Sequence, residues 1–405
     1  MDKTISFIQP SRSNLKYLKW SYESIRKNLG YRHEICMADD FSDDGTWEWM
    51  KEIAKKDQNV KIHRNDGPTR LGHTILYDTL VNMATNDIVM IYHADMYALP
   101  GLADRILKHI KPGVVVSGTR IEPPLHPQGP EKVIMDFGIE PEEFKEQELL
   151  NWYQNSYEPT QETTEGIFAP WAIYKEDFLK IGGHDKLFAP QSKEDSDIFN
   201  RFVLNGYKVI QTREGCVYHM TCRGSRFAEG AKRNPNGEVF MKNRETDEWL
   251  AQNERSTRNF IRKWGQMVEH DEYLKPIISP KYSIGFELTE ACDINTIRQL
   301  EPWCSYMVIP DSELITRYIE QEQPNTDYVL SDKLHTDIPN NPIYDIRVVF
   351  NPLEMTQSSF SIITQLSKII KDSGSEGDRF ELDVFDIWIA QMFEQQRNNI
   401  VCNIS

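Results

Sequence analysis

A chain of 405 residues is longer than one hydrophobic core ordinarily serves, so two domains of roughly 100–200 residues are expected. Its 39% hydrophobic and 27% charged residues exclude a disordered or fibrous protein. The net charge of −16 is uneven: residues 276–405 hold 9 Lys and Arg against 20 Asp and Glu, and the first 275 hold 37 against 42. That asymmetry sets a boundary near residue 275, and the acidity gives no indication of nucleic-acid binding.

No apolar run approaches the roughly 20 residues that cross a bilayer, and the start lacks the basic flank and apolar core of a signal peptide. A cytoplasmic chain without a transmembrane segment is therefore expected. Six cysteines without a CxxC pair read as plain thiols.

Residues 5–8 read as a buried strand, and 15–29 carry apolar side chains at helical spacing. A second strand, 33–38, runs into Asp39-Asp40-Phe41-Ser42-Asp43-Asp44-Gly45-Thr46. A helix over 47–56, a strand over 60–63 and a helix over 74–83 follow. The apolar strand 88–92 ends at His93-Ala94-Asp95. This alternation predicts an α/β fold with a mostly parallel sheet and helices on both faces. Ligands then bind beyond the carboxyl ends of the strands, where both acidic clusters lie.

Residues 121–164 read as a long loop or insertion over the site. Regular pattern resumes at 166–173, followed by a short helix to Ile181 and a turn at Gly182-Gly183. A helix is predicted over 192–202, with Ser192 and Asp195 approximating a capping box and Asp197 pairing with Arg201 at i, i+4 spacing. Strands over 208–211 and 216–219 precede a polar loop over 224–237 and a helix over 245–264. The expected division is a first domain over 1–240, a helical linker over 241–275 and an acidic α/β domain over 276–405. The last has strands at 282–286, 306–309 and 346–350 and helices at 360–371 and 384–396, with no chemical motif.

Two carboxylates directly after a buried strand are not packing groups, because an unpaired buried charge is costly. Taken alone, Asp39 and Asp40 equally suit an Asx-turn or a helix cap. The whole run from Ala38 to Thr46 resembles the "VDDGSxDGT" segment of family 2 glycosyltransferases. "ISFIQPSRSN" (5–14) resembles that family's "SVIIPTYN", and "NDGPTRLG" (65–72) loosely resembles "NxGxxxARN". "IVMIYHADMYALPGLADRIL" (88–107) resembles "YIxFLDADDxxxPxxLE". "FLKIGGHDKLFAPQSKEDSDIFNRF" (178–202) resembles "FxxVGGFDExxxxxEDxDLxxRL". The order of these blocks, over roughly residues 3–225, is more specific than any one of them.

The resemblance implies a GT-A fold, a Rossmann-like nucleotide-diphospho-sugar transferase domain. It implies transfer of a sugar from a nucleotide-diphosphate donor, UDP-sugar favoured, to an unidentified acceptor hydroxyl by metal-assisted inverting displacement. Asp95 is implied as a ligand of Mn²⁺ or Mg²⁺, whose charge neutralises the departing diphosphate. His93 stands where the family has the first Asp of its DxD motif, so ribose contact remains open to it while an anionic ligand is lost. His219 ends a strand where some relatives place a third ligand, and imidazole suits Mn²⁺; a satisfied structural histidine is the other reading.

Asp195 is the implied general base, and Glu194 binds or orients the acceptor. Helix-dipole complementation would account for only one of these acids. Pro10, Ser11, Asp40 and Arg70 are assigned to the donor. Trp171 is assigned to an acceptor sugar, although an aromatic in a strand also suits a core. Arg223, Arg226, Lys232 and Arg233 form a basic loop, open to phosphate closure or simple solvation. Two alternatives stay open: a degraded GT-A protein that binds sugar or nucleotide without turnover, and an interaction protein acting through its C-terminal domain.

Overall fold

The computed structural model describes residues 3–221, 223, 229–242, 245–338 and 344–397. Two compact units emerge: Met1–Gln252 with His270–Pro276, and Asn253–Glu269 with Ile277–Ser405.

In the first unit β1 (Ile5–Ser11), α1 (Leu15–Leu29), β2 (Glu34–Asp40), α2 (Thr46–Lys56), β3 (Val60–Asn65) and α3 (Gly72–Met83) alternate, and β4 (Ile88–Ile91) follows. β1 pairs in parallel with β2 and β4, and β2 with β3. Ile5, Phe7, Ile8, Ile35, Met37, Val89 and Ile91 have no exposed surface. Strands buried on both faces need continuous apolar runs rather than alternation, which is the pattern here.

The chain continues through β5 (Met96–Ala98), α4 (Leu102–His109), β6 (Val114–Glu122), β7 (Lys132–Ile134), α5 (Glu146–Asn155), β8 (Thr163–Thr164), β9 (Trp171–Tyr174), α6 (Lys175–Lys180), α7 (Glu194–Leu204) and β10 (Lys208–His219). The sheet runs β3-β2-β1-β4-β9-β6-β10-β5, with β7 on β6 and β8 on β10. β9 is antiparallel to β4 and β6, and β5 to β10. A short hairpin, β11 (Lys232–Arg233) and β12 (Val239–Phe240), and the helix α8 (Asp247–Trp264) follow.

Three expectations change. Residues 121–164 hold β7, α5 and β8 rather than loop alone; Leu149 of α5 is buried, and Trp152 and Tyr153 pack on the same aromatic cluster as Phe137 and Tyr218. The strands expected at 208–211 and 216–219 are one strand with a register shift between Gln211 and Cys216. The Ser192–Asp195 capping box is absent, because Ser192 and Lys193 have φ of 81° and 71° and Lys193 is the N-cap. Arg226 of the basic loop lies outside the described residues.

The second unit contains β13 (Ile284–Leu288), α9 (Ile294–Leu300), β14 (Tyr306–Val308), α10 (Ser312–Glu322), β15 (Leu334–His335), β16 (Ile346–Phe350), α11 (Gln357–Ser373), β17 (Arg379–Leu382) and β18 (Phe385–Ile389). Its sheet runs β15-β14-β13-β16-β18-β17, parallel through β16 and antiparallel thereafter. The helix expected over 384–396 is instead β18 and, after it, chain without regular secondary structure through Arg397. Phe385, Ile387 and Ile389 are buried while Trp388 between them is exposed, a period-two pattern. Among the described residues no helix is long and apolar enough to cross a membrane.

Candidate active site

The chain leaves β4 at Ile91, and Tyr92 still donates its backbone N–H to Ile8 O (3.1 Å), so His93 emerges at the carboxyl end of the central strands. Two residues later Asp95 precedes β5. The antiparallel pairing of β5 with β10 sets His219 opposite Met96, and Met220 N–H donates to Asp95 O. That register carries His219 Nε2 to 3.3 Å from Asp95 Oδ1. β6 runs parallel to β10 with Ile121 beside Tyr218, and Glu122 follows one residue on. Its Oε1 lies 2.7 Å from His219 Nδ1.

One ligand atom from each of His93, Asp95 and His219 lies within 4.8 Å of the others. A His whose second nitrogen is fixed by a carboxylate is the usual arrangement behind a metal ion, because the carboxylate sets the tautomer and ring orientation. Glu122 supplies it, with Nδ1–H donating and Nε2 left to face Asp95 and His93. The donor set of two imidazoles and one carboxylate fits a divalent ion such as Mn²⁺.

The charges agree with this geometry. Burial alone would lower the His219 pKa, but Asp95 and Glu122 outweigh it and push it up to about 9. Burial opposes ionisation of Asp95, yet His219 and His93 bring it down to about 2. Glu122, only 1% exposed, is held well below the carboxylate range despite burial by Arg120, His219 and Lys132. His93 is kept neutral down to about 3 by burial and by His219. A neutral imidazole is the ligating form, so His93 is ready to ligate, whereas His219 would first give up its Nε2 proton to an incoming ion.

The second group of carboxylates opens α7. Glu194 is buried and its Oε2 has no hydrogen-bond partner; Asp195 is half-buried. Burial raises the pKa of both, and Asp195 raises that of Glu194 further, while His184 and Arg120 favour ionised Asp195. Burial, together with the charges of Asp195, Glu194 and Asp95, pushes the phenol of Tyr77 on α3 well above its ordinary value. Asp197 is spent on a structural pair with Arg201 (3.0 Å).

Of the residues the resemblance assigns to a donor, Pro10 and Ser11 end β1, and the Ser11 hydroxyl is buried without a partner. Asp40 is committed to the chain itself: it accepts from Asn65 Nδ2 (2.7 Å), Leu71 N (3.1 Å) and Gly72 N (2.8 Å). It clasps the 65–72 turn rather than presenting an open carboxylate. Arg70 lies 3.9 Å from Asp40 and donates to Gln191 Oε1 (2.8 Å). Gly72 has φ of 72°, and a Cβ there would fall 2.0 Å from Pro190 O, so only glycine permits this contact.

Trp171 corrects an expectation. It has no exposed surface and packs against Phe178, Phe199, Phe202 and His184, so it offers no face to a sugar. Of the basic loop, Arg233 is tied to Asp136 (2.6 Å) and Glu143 (3.0 Å) and Lys232 to Glu229 (2.6 Å).

Two contributors escaped the sequence reading. Glu122 ends a strand in a stretch read as loop. His184, in Gly182-Gly183-His184-Asp185, occupies a position the family pattern fills with Phe; that polar replacement was the available signal. Its Nδ1 lies 2.7 Å from Asp78 Oδ1, and its buried Nε2 has no partner.

The model of the family described as Glycosyl transferase family 2 matches residues 6–179. Solved structures similar to the chain include GalNAc-T7 with UDP, GalNAc and Mn²⁺, at 16% identity and TM-score 0.42, covering 54% of this chain and 44% of that one. Mannosyltransferase PcManGT from Pyrobaculum calidifontis with GDP-Man and Mn²⁺ is similar at 18% identity and TM-score 0.37, covering 53% and 56%. S. aureus TarS 1–349 with UDP is similar at 15% and 0.37, covering 53% and 60%. The match thus spans about half the length of these structures. The similarity of residues 6–179 to glycosyl transferase family 2 lies wholly within the first unit.

Proposed function

We propose that the first unit transfers a sugar from a nucleoside diphosphate donor, UDP-sugar favoured, to an acceptor hydroxyl with inversion. The observation that carries this reading is the convergence of His93, Asp95 and His219 at the strand ends, with Glu122 fixing His219.

His93, Asp95 and His219 would hold Mn²⁺ in preference to Mg²⁺, because Mg²⁺ favours all-oxygen shells. When bound, the ion supplies positive charge to the leaving diphosphate. Pro10 and the unpartnered Ser11 hydroxyl line the donor side, and Asp40 acts through the turn it clasps, holding Arg70 near the diphosphate. Asp195 takes the proton of the acceptor hydroxyl as its oxygen bonds to the anomeric carbon and the bond to diphosphate breaks. Glu194, kept protonated by burial and by its neighbour, donates a hydrogen bond to the acceptor. His184, anchored by Asp78, favours the ionised form of Asp195.

A second reading, binding without turnover, draws on His93 in place of the family's Asp. The test is purified chain with UDP- and GDP-sugars and Mn²⁺, followed by release of free nucleoside diphosphate and by donor binding. Release from a UDP-sugar that stops with EDTA is expected. Donor binding with no release from any donor, with or without a panel of sugar acceptors, would establish the second reading.

A further inference from the structure

In the second unit, alternation along β16, β17 and β18 sends Ile346, Val348, Phe385, Ile387 and Ile389 into the core. The opposite face carries a different set. Trp388 stands in register between Arg347 on β16 and Arg379 on β17, and Asp386 lies one step along beside Val349. These five side chains line a cavity of about 300 Å³, and the indole is 42% exposed.

Each guanidinium is held in a fork. Arg347 donates through Nε and Nη2 to Glu287 (2.7 and 2.5 Å), and Arg379 through Nε and Nη2 to Asp386 (3.1 and 2.6 Å). Each arginine is thereby neutralised, so the cavity has little to offer a phosphate, which would have to displace a bidentate carboxylate. A guanidinium carries five N–H donors, and the Nη1 edges remain for a ligand. The Asp386 carboxylate keeps acceptor capacity. The site therefore combines a partly exposed indole with donors and acceptors fixed at its rim. A pyranose has the matching chemistry: a C–H face for the indole and hydroxyls that both donate and accept. The volume stands at the small end of ligand sites, roughly 300–1,000 Å³, and suits a sugar residue rather than a folded partner.

We propose that this face of the second unit is a carbohydrate-binding site, with Trp388 as its platform and Arg347, Arg379 and Asp386 as its polar rim. It stands on the second unit alone and requires no turnover in the first.

The experiment is titration of the full chain, by tryptophan fluorescence and NMR, with methyl glycosides of glucose, galactose, mannose and N-acetylglucosamine and with maltose and cellobiose. Concentrations run to roughly 50 mM, because a single stacked ring binds in the millimolar range. Saturable binding of at least one sugar is expected, weakened at least about tenfold by Trp388→Ala, partly restored by Trp388→Phe, and weakened severalfold by Arg379→Ala. Trp388 is exposed, so its replacement leaves folding intact, checked by circular dichroism. Lack of saturation by every sugar would overturn the proposal, as would binding indifferent to Trp388→Ala. Competition by inorganic phosphate at the same site would overturn it in favour of an anion site. Self-association that Trp388→Ala abolishes, without sugar binding, would overturn it in favour of a face for a second copy.

Discussion

The two units handle buried charge in opposite ways. In the second, Arg262 donates to Glu301 (2.5 Å), Glu322 (2.8 Å) and Asn259 (2.8 Å), while Tyr318 and Lys333 also donate to Glu301. Every charge in that network is answered by another side chain, which specifies the packing and leaves little for a ligand. In the first, several polar atoms are answered only in part: Ser11 Oγ, His184 Nε2 and Glu194 Oε2 are buried without hydrogen-bond partners. Buried polar groups left open cost stability, so each of these atoms calls for an explanation that packing alone does not supply.

Breaking the open side has the largest expected effect. Asp95→Ala should lower nucleoside diphosphate release by at least about 10³-fold without unfolding the chain, measured alongside circular dichroism. Retained release would mean the cluster does not serve the reaction. Breaking the closed side should instead cost stability. Glu301→Ala leaves Arg262 and Lys333 facing a void and should destabilise the second unit by about 3–5 kcal/mol in urea, with transfer by the first unit unchanged at low denaturant.

Acid should distinguish the units next. Burial holds His33 neutral down to about 4, against an ordinary value near 6.5. Its folded pKa lies below its unfolded one, so the unfolded chain takes up the proton first. The first unit then loses stability as pH falls from about 6.5 to about 4, by roughly 3 kcal/mol, and His33→Gln should remove that slope. In the second unit Lys333 and Arg262 overcome burial and hold Glu301 down to about 2, so its contribution persists to lower pH and is lost between about 4.5 and 2. Unit-specific hydrogen exchange against pH reads both windows, and coincident losses would contradict the contrast. The smallest effect is expected one residue removed from the cluster. Glu122→Gln should weaken Mn²⁺ affinity by about 10–100-fold while leaving the His219 position intact, read by calorimetric Mn²⁺ titration.

The parallel half of the first unit was legible because its strands are continuous apolar runs and its helices keep apolar residues at helical spacing. The pairing of Asp95 with His219 was legible only through the family resemblance. Asp95 and His219 are 124 positions apart, and the β5–β10 register that joins them is not written in either segment. Helix α5 was missed because it buries only Leu149 within its span and relies on aromatic contacts from distant strands. The reverse error occurred at β18, where Val384, Ile387, Trp388 and Met392 also satisfy a helical repeat. Trp171 was misassigned because its place at a strand carrying the site said nothing of the Phe178, Phe199 and Phe202 side chains that cover it.

The contact of Gly72 with Pro190 has a consequence for how the proposed reaction can diversify. The Asp40 clasp fixes the start of α3, and that start abuts the segment leading to Glu194 and Asp195 with no room for a single added carbon. The 65–72 turn and the segment before α7 therefore meet in one tight contact. Under the proposed reaction a lineage exploring new acceptors can exchange side chains along 191–193, ahead of the two acids, but sliding that segment would disturb the turn that Asp40 holds. Drift in acceptor choice is thereby confined to chemistry rather than to backbone shape.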